Sequence, residues 1–297
     1  MLTIGSRGSQ LALWQAHWIQ SRLAALGEES RIEVIHTTGD RITDVALSKV
    51  GSKGLFTKEI EEALLAGTID LAVHSMKDMP TEIPAGLVIA AVPEREDPRD
   101  ALVGRPFAEA AHVGTSSLRR AAQLRAHRPG LLIETIRGNV DTRLRKLDEG
   151  QFDAIVLAAA GLRRLGLEGR IAELLDPAFM CPAVGQGALA VETRGDGGAA
   201  HLTCAQLDND NARIAVTAER AVLAALGGGC QVPIGAHARV DGGAIHIDAV
   251  VVSPDGSEQV RRSARGALTE ARQIGTRLGE ELLSRGAREI LERVYSA

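Results

Sequence analysis

A chain of 297 residues, 45% hydrophobic and 24% charged, has enough apolar material for two or three domains with their own cores. Its net charge of −4 and aromatic content of 2% argue against nucleic-acid binding, which calls for a basic field with stacking platforms. Three widely spaced cysteines, Cys181, Cys204 and Cys230, give neither a disulfide framework nor metal-ligand spacing, so no metal is expected. No apolar run approaches a bilayer span, and Met1 to Arg7 lacks a charged leader before an apolar core. The expectation is a cytoplasmic protein with no membrane partner.

Strand and helix signals alternate over residues 1–92. Residues 2–4, 32–35, 69–73 and 87–92 read as strands, while Leu11, Trp14, Trp18 and Ile19 mark one helix face and residues 56–66 another helix. Residues 93–100 are charged, hold two prolines and lack apolar periodicity, which suits an interdomain crossing. A second series follows, with strands at 101–103, 131–136 and 154–157 and helices at 117–126 and 140–147. Residues 177–191 are loop-rich and apolar, which suits a return crossing. A helix over 211–226 runs into the glycines at 227–229. Strands at 236–240 and 245–252, a turn at 254–256 and a last helix from Leu268 complete the chain. The coarse picture is α/β: two similar lobes with mostly parallel sheets and a smaller α/β tail, with ligands at the carboxyl ends of strands.

His74 to Pro80 directly follows a strand, so Asp78 stands at such an end, either as a working carboxylate or as a turn cap. With no second ligand at metal spacing, His74 is expected to hydrogen-bond locally. Gly114 to Arg120 sets Thr115, Ser117, Arg119 and Arg120 at a helix start. Arginines are unfavourable there, and an anion would offset them. Arg137, Gly138 and Arg143 repeat the design, as do Lys53 in Gly51–Gly54 with Lys49 upstream, Arg7 and Ser9 after the first strand, and Arg164. Each alone suits a solvated surface; together, in an acidic protein, they point to a polyanionic small ligand held between the lobes. Cys230 sits at a helix exit, in Gly227 to Gly235, either presented for chemistry or packed as a small hydrophobe.

Arg7 to Ala12, Lys53 to Phe56, His74 to Pro80, Gly114 to Arg120, Arg137 to Val140, Gly185 to Ala188, Glu219-Arg220 and Gly229 to Pro233 occur here in an order that closely resembles the porphobilinogen deaminase (hydroxymethylbilane synthase) family. The resemblance covers almost the whole chain and thins after about residue 240. It implies three domains: a first lobe at 1–93 with 188–206, a second at 94–187, both like two-lobed periplasmic binding proteins, and a cofactor-attachment domain at 207–297. It also implies a dipyrromethane cofactor bound by a thioether to Cys230, and stepwise addition of four porphobilinogen units with loss of ammonia. Hydrolysis then frees linear hydroxymethylbilane for tetrapyrrole biosynthesis. Asp78 matches the catalytic carboxylate. Lys53, Ser75, Lys77, Asp78, Thr115, Ser117, Arg119, Arg120, Arg137 and Gly138 match cofactor-binding positions. Arg7, Ser9, Phe56, Arg137, Arg143, Arg164 and Gln186 match substrate-binding ones, and a monomer is implied. Each pyrrole bears acetate and propionate groups, so the abundance of guanidinium forks fits the chemistry. The lobes alone would also suit a non-catalytic receptor for an anionic solute, which has no use for Cys230.

Overall fold

Residues 1–41, 54–228 and 232–296 are described by the computed structural model. They fall into two units, residues 1–96 with 188–213 and residues 97–187 with 214–297.

In the first unit, apolar residues at alternate positions build β1 (Leu2–Ser6), β2 (Ser30–Val34), β3 (Leu71–Ser75) and β4 (Leu87–Ala91), which all run in one direction. The returning chain inserts β10 (Leu189–Arg194) antiparallel between β3 and β4, giving the order β2-β1-β3-β10-β4. Ser9 caps α1 (Gln10–Ala25) by accepting from the Ala12 amide. That helix buries Ala16, Ile19 and Leu23 against Leu71, Val73, Leu189 and Val191, where α7 (Ala199–Ala205) adds Cys204. The short α2 (Thr38–Arg41) precedes α3 (Lys58–Leu65), which sets Ile60 and Leu64 against Ile69, Ala72 and Leu87. Leu71 and Val73 thus meet one helix layer and Ala72 the other.

The second unit repeats this plan. β6 (His112–Gly114), β7 (Leu132–Glu134), β8 (Ala154–Ala158) and β9 (Ile171–Leu174) share a direction, and β5 (Asp100–Gly104) is the reversed strand in the order β7-β6-β8-β5-β9. One face packs α4 (Leu118–His127) through Leu124 on Leu102, Val113 and Val156; the other packs α5 (Val140–Asp148) and α6 (Ala159–Arg164) through Leu144 and Leu162. From Ile214 onward α8 (Asp210–Ala225) belongs here too. It covers an antiparallel meander of β11 (Ile234–Asp241), β12 (Ala244–Val252) and β13 (Gln259–Ala267) together with α9 (Ala271–Leu282) and α10 (Arg288–Tyr295). Helices α8 and α9 approach so closely that a Cβ at Gly275 would lie 2.2 Å from the Ala218 carbonyl oxygen.

Several expectations shift. The strand foreseen at 69–73 runs two residues later, through His74 and Ser75. The crossing foreseen to end at Asp100 ends one residue earlier, because Asp100 opens β5 and is fully buried. Residues 189–194, half assigned to a loop, form an interior strand. The short β6, along with β9 and the arginine-rich β13, escaped the periodicity reading.

Candidate active site

In the first unit, the chain leaves β3 at Ser75 through a 3-10 turn, Met76–Asp78. Buried Met76 and Met79 anchor the turn, and the Met76 amide donates to the Ala188 carbonyl at 3.0 Å. Lys77 and Asp78 are left half-buried. The Asp78 carboxylate has no hydrogen-bond or ion-pair partner among the described residues, so it does not cap the turn. Ser75 Oγ accepts from Gln15 Nε2 at 2.9 Å. Arg7 lies 4.1 Å from the centre of the half-buried Phe56 ring and grips Asp40 through Nε at 3.1 Å. Burial alone would raise the Asp40 pKa; hydrogen bonds from Arg7 and Thr37 bring it below the ordinary range. Ser9 acts as the α1 cap. Lys49, Lys53 and Cys230 lie outside the described residues.

The helix-start arginines of the second unit find an anion within the protein. Asp100 Oδ2 accepts from Arg119 Nη1 at 2.8 Å, and Oδ1 accepts from Arg120 Nε at 2.9 Å and from Gln186 Nε2 at 2.9 Å. Burial opposes the charge on Asp100, yet the two guanidiniums hold its pKa at about 2. Arg119 Nη1 also donates to the Cys181 carbonyl at 2.6 Å, and Arg120 Nη1 to the Val156 carbonyl at 2.9 Å. Arg119 Nε is buried with no acceptor among the described residues. Two guanidinium charges therefore share one carboxylate. Ser117 caps α4 by accepting from the Arg120 amide, and Thr115 Oγ1 accepts from the Ser117 amide at 3.2 Å.

Gly138 holds φ at +111°, and a Cβ there would come 2.6 Å from Thr142, so the entry to α5 needs glycine. Its carbonyl accepts from Arg143 Nε at 2.8 Å. Burial, then the neighbouring Arg120 and Arg137 guanidiniums, bring the Arg143 pKa down to about 10. Arg120 and Arg137 thus add like charge beside Arg143. Buried Arg164 donates to the Gly187 carbonyl at 2.7 Å, and buried Gln186 joins the Asp100 cluster. Neither described thiol suits chemistry: burial pushes both Cys181 and Cys204 up to about 12.

Asp100, Asp40 and Gln15 were not singled out from the sequence. An aspartate beside a linker carries no periodic signal, and only the folded chain shows the partner 19 residues away at Arg119. His74 was expected to bond locally; instead its Nε2 meets Glu192 Oε2 at 3.1 Å, 118 residues distant.

Two sheets with a single reversed strand each, strand ends carrying half-buried polar groups, and a third small sheet define a mixed α/β protein. Residues 2–201 match the family profile described as porphobilinogen deaminase, dipyromethane cofactor binding domain, and residues 213–284 match the porphobilinogen deaminase C-terminal domain. Curated relatives named porphobilinogen deaminase include one from Syntrophobacter fumaroxidans, 52% identical over all of this chain and 99% of that protein. Another, from Pelobacter propionicus, is 52% identical over 99% of this chain and 97% of that one. The chain belongs to the porphobilinogen deaminase family. A solved periplasmic substrate-binding protein of an ABC transporter from Coxiella burnetii is similar at 13% identity, with a TM-score of 0.44 over 70% of this chain and 91% of that one.

Proposed function

We propose that this chain is a hydroxymethylbilane synthase, a transferase that adds four porphobilinogen units to a covalent dipyrromethane, releases ammonia at each addition and hydrolyses off linear hydroxymethylbilane for tetrapyrrole biosynthesis. The observation supporting this most directly is 52% identity over the whole chain to a relative named porphobilinogen deaminase, and the half-buried Arg143, held at about 10 by burial and by its Arg120 and Arg137 neighbours, suits the carboxylates that every pyrrole unit carries. When bound, the dipyrromethane would supply the free pyrrole carbon to which the first unit is joined, each later unit joining the pyrrole added before it. Cys230 is its attachment point in this reading, and the inertness of buried Cys181 and Cys204 supports the choice.

Asp78 acts on porphobilinogen. As the carbon–nitrogen bond of the aminomethyl group breaks, its electron pair leaves with ammonia and positive charge spreads onto the pyrrole nitrogen. A carboxylate without a partner among the described residues, held on a turn, is free to face that N–H and stabilise the charge. It also accepts a proton when the ring regains aromaticity. Lys53, Ser75, Lys77, Thr115, Ser117, Arg119, Arg120, Arg137 and Gly138 hold the cofactor's carboxylates and backbone approach. Arg7, Ser9, Phe56, Arg137, Arg143, Arg164 and Gln186 serve the incoming units. In the same reading, residues 1–93 with 188–206, residues 94–187 and residues 207–297 are three domains of a cytoplasmic monomer. Among the described residues no helix is long and apolar enough to cross a membrane.

Intact mass under denaturing conditions tests the reading. Wild-type protein is expected to carry an adduct of two pyrrole units, and Cys230→Ser to show its unmodified mass and no product. An unmodified, active wild type would refute it; an unmodified, inactive one that binds anionic solutes would favour a receptor.

A further inference from the structure

Beneath the Asp78 turn, the sheet of the first unit contains an uncommon group for a sheet interior. His74 on β3 is 5% exposed and Glu192 on β10 is 0% exposed. The register pairs Ala72 with Glu192 and Ala190 with His74, so the two are diagonal neighbours on one face, joined at 3.1 Å. That face is covered by α3, which brings Glu61, 8% exposed, alongside them. Glu192 Oε1 and Glu61 Oε1 are both buried without a hydrogen-bond partner among the described residues. Burial, reinforced by the charge of Glu192, raises the Glu61 pKa despite Thr57 and His74.

An apolar pair would fill this space without the cost of desolvating a carboxylate and an imidazole. A directional link between two strands does something that apolar packing does not: it prescribes where one strand stands along the other. The end of β3 is tied in three directions. Ser75 reaches Gln15 on α1, His74 reaches Glu192 on the opposite face, and the Met76 amide reaches Ala188 in the plane of the sheet. Asp78 follows four residues after His74, on a turn closed by the Met79 amide on the Met76 carbonyl at 3.2 Å, with no side-chain cap among the described residues.

We propose that His74 and Glu192 are positioning residues for Asp78: their buried link sets the point at which β3 gives way to the turn, and with it the location of the carboxylate. The inference rests on the role given to Asp78 above.

The test uses full-length enzyme whose adduct is verified by mass. Glu192→Gln keeps shape and one hydrogen bond but removes the charge. It is expected to lower kcat about tenfold with KM within about twofold. Amide exchange at Met76 and Met79 should quicken by about the same factor, while the α1 amides keep wild-type protection. A kcat within about twofold of wild type overturns the proposal. So does a lowered kcat with unchanged exchange at the turn, or exchange quickened evenly across the unit, which would mark a purely structural pair. Should Glu192→Gln not fold at the assay temperature, His74→Gln undergoes the same measurements and is judged the same way. Asp78→Asn is run beside them: full activity there removes Asp78 from the mechanism, whereas an impaired Asp78→Asn beside an unaffected Glu192→Gln rejects only the positioning role.

Discussion

At Asp100, burial works against ionisation, and the pKa of about 2 records how strongly Arg119 and Arg120 overcome it. A folded-state pKa below the ordinary value of 3.8 means that the native form gains from the ionised carboxylate. That gain is complete above about pH 4 and is lost as pH falls toward 2, a contribution of about 2 kcal/mol. Replacing Asp100 with Asn leaves two buried guanidiniums short of their counterion and should cost about 3 to 5 kcal/mol at pH 7. In urea titrations the gap between wild type and Asp100→Asn should narrow from pH 4 down to pH 2; a constant gap would show that charge is not its source. Asp78 is a different case, since its carboxylate has no partner among the described residues to lose. Asp78→Asn is expected to keep the wild-type melting temperature and adduct mass while lowering kcat by about a hundredfold or more, as loss of a preorganised electrostatic group does. Stopped-assay product formation decides this, and a rate near wild type counts against the proposed role. The sequence pointed to Asp78 because a strand end was visible before it. Nothing local pointed to Asp100, whose meaning comes from residues on α4 and from Gln186.

Among the elements, β10 governs the first sheet. It ladders with β3 on one side and β4 on the other, and β3 and β4 share no ladder. A fragment of residues 1–96 therefore lacks the strand that joins them and should give a poorly dispersed NMR spectrum with little amide protection. Joining residues 188–213 through a flexible linker should restore both, and a well-ordered 1–96 fragment would contradict this account. Helices were the most legible elements: Ser9 and Ser117 announce α1 and α4 as caps, and Gly227, at φ +65°, follows the last turn of α8. Strands were less so. β6 has only three residues, too few for a period, and β13 sets Arg261, Arg262 and Arg265 among small residues, which leaves no apolar alternation to read. For β10, the run Ala188 to Val191 is apolar enough for a strand, but Pro177, Pro182, Gly185 and Gly187 just before it made the whole segment resemble a connection.

Across the whole chain, basic groups stand at strand ends in both units, and that distribution was visible from sequence order alone. What the sequence did not show is their internal balance: Arg7 is held by Asp40, Arg119 and Arg120 by Asp100, while Arg143 is crowded by cations. Residue types identified the candidates; only tertiary proximity separates a guanidinium committed to a neighbouring carboxylate from one under repulsion. The two reversed strands have a further consequence for biosynthesis. All five strands of the second sheet lie within residues 100–174, so they emerge from the ribosome consecutively and can assemble at once. The first sheet begins earlier but waits for residues 189–194, and until they arrive the facing edges of β3 and β4 have only solvent to bond. The sheet whose strands are translated first is thus closed only after the second sheet, though the second begins later in the chain.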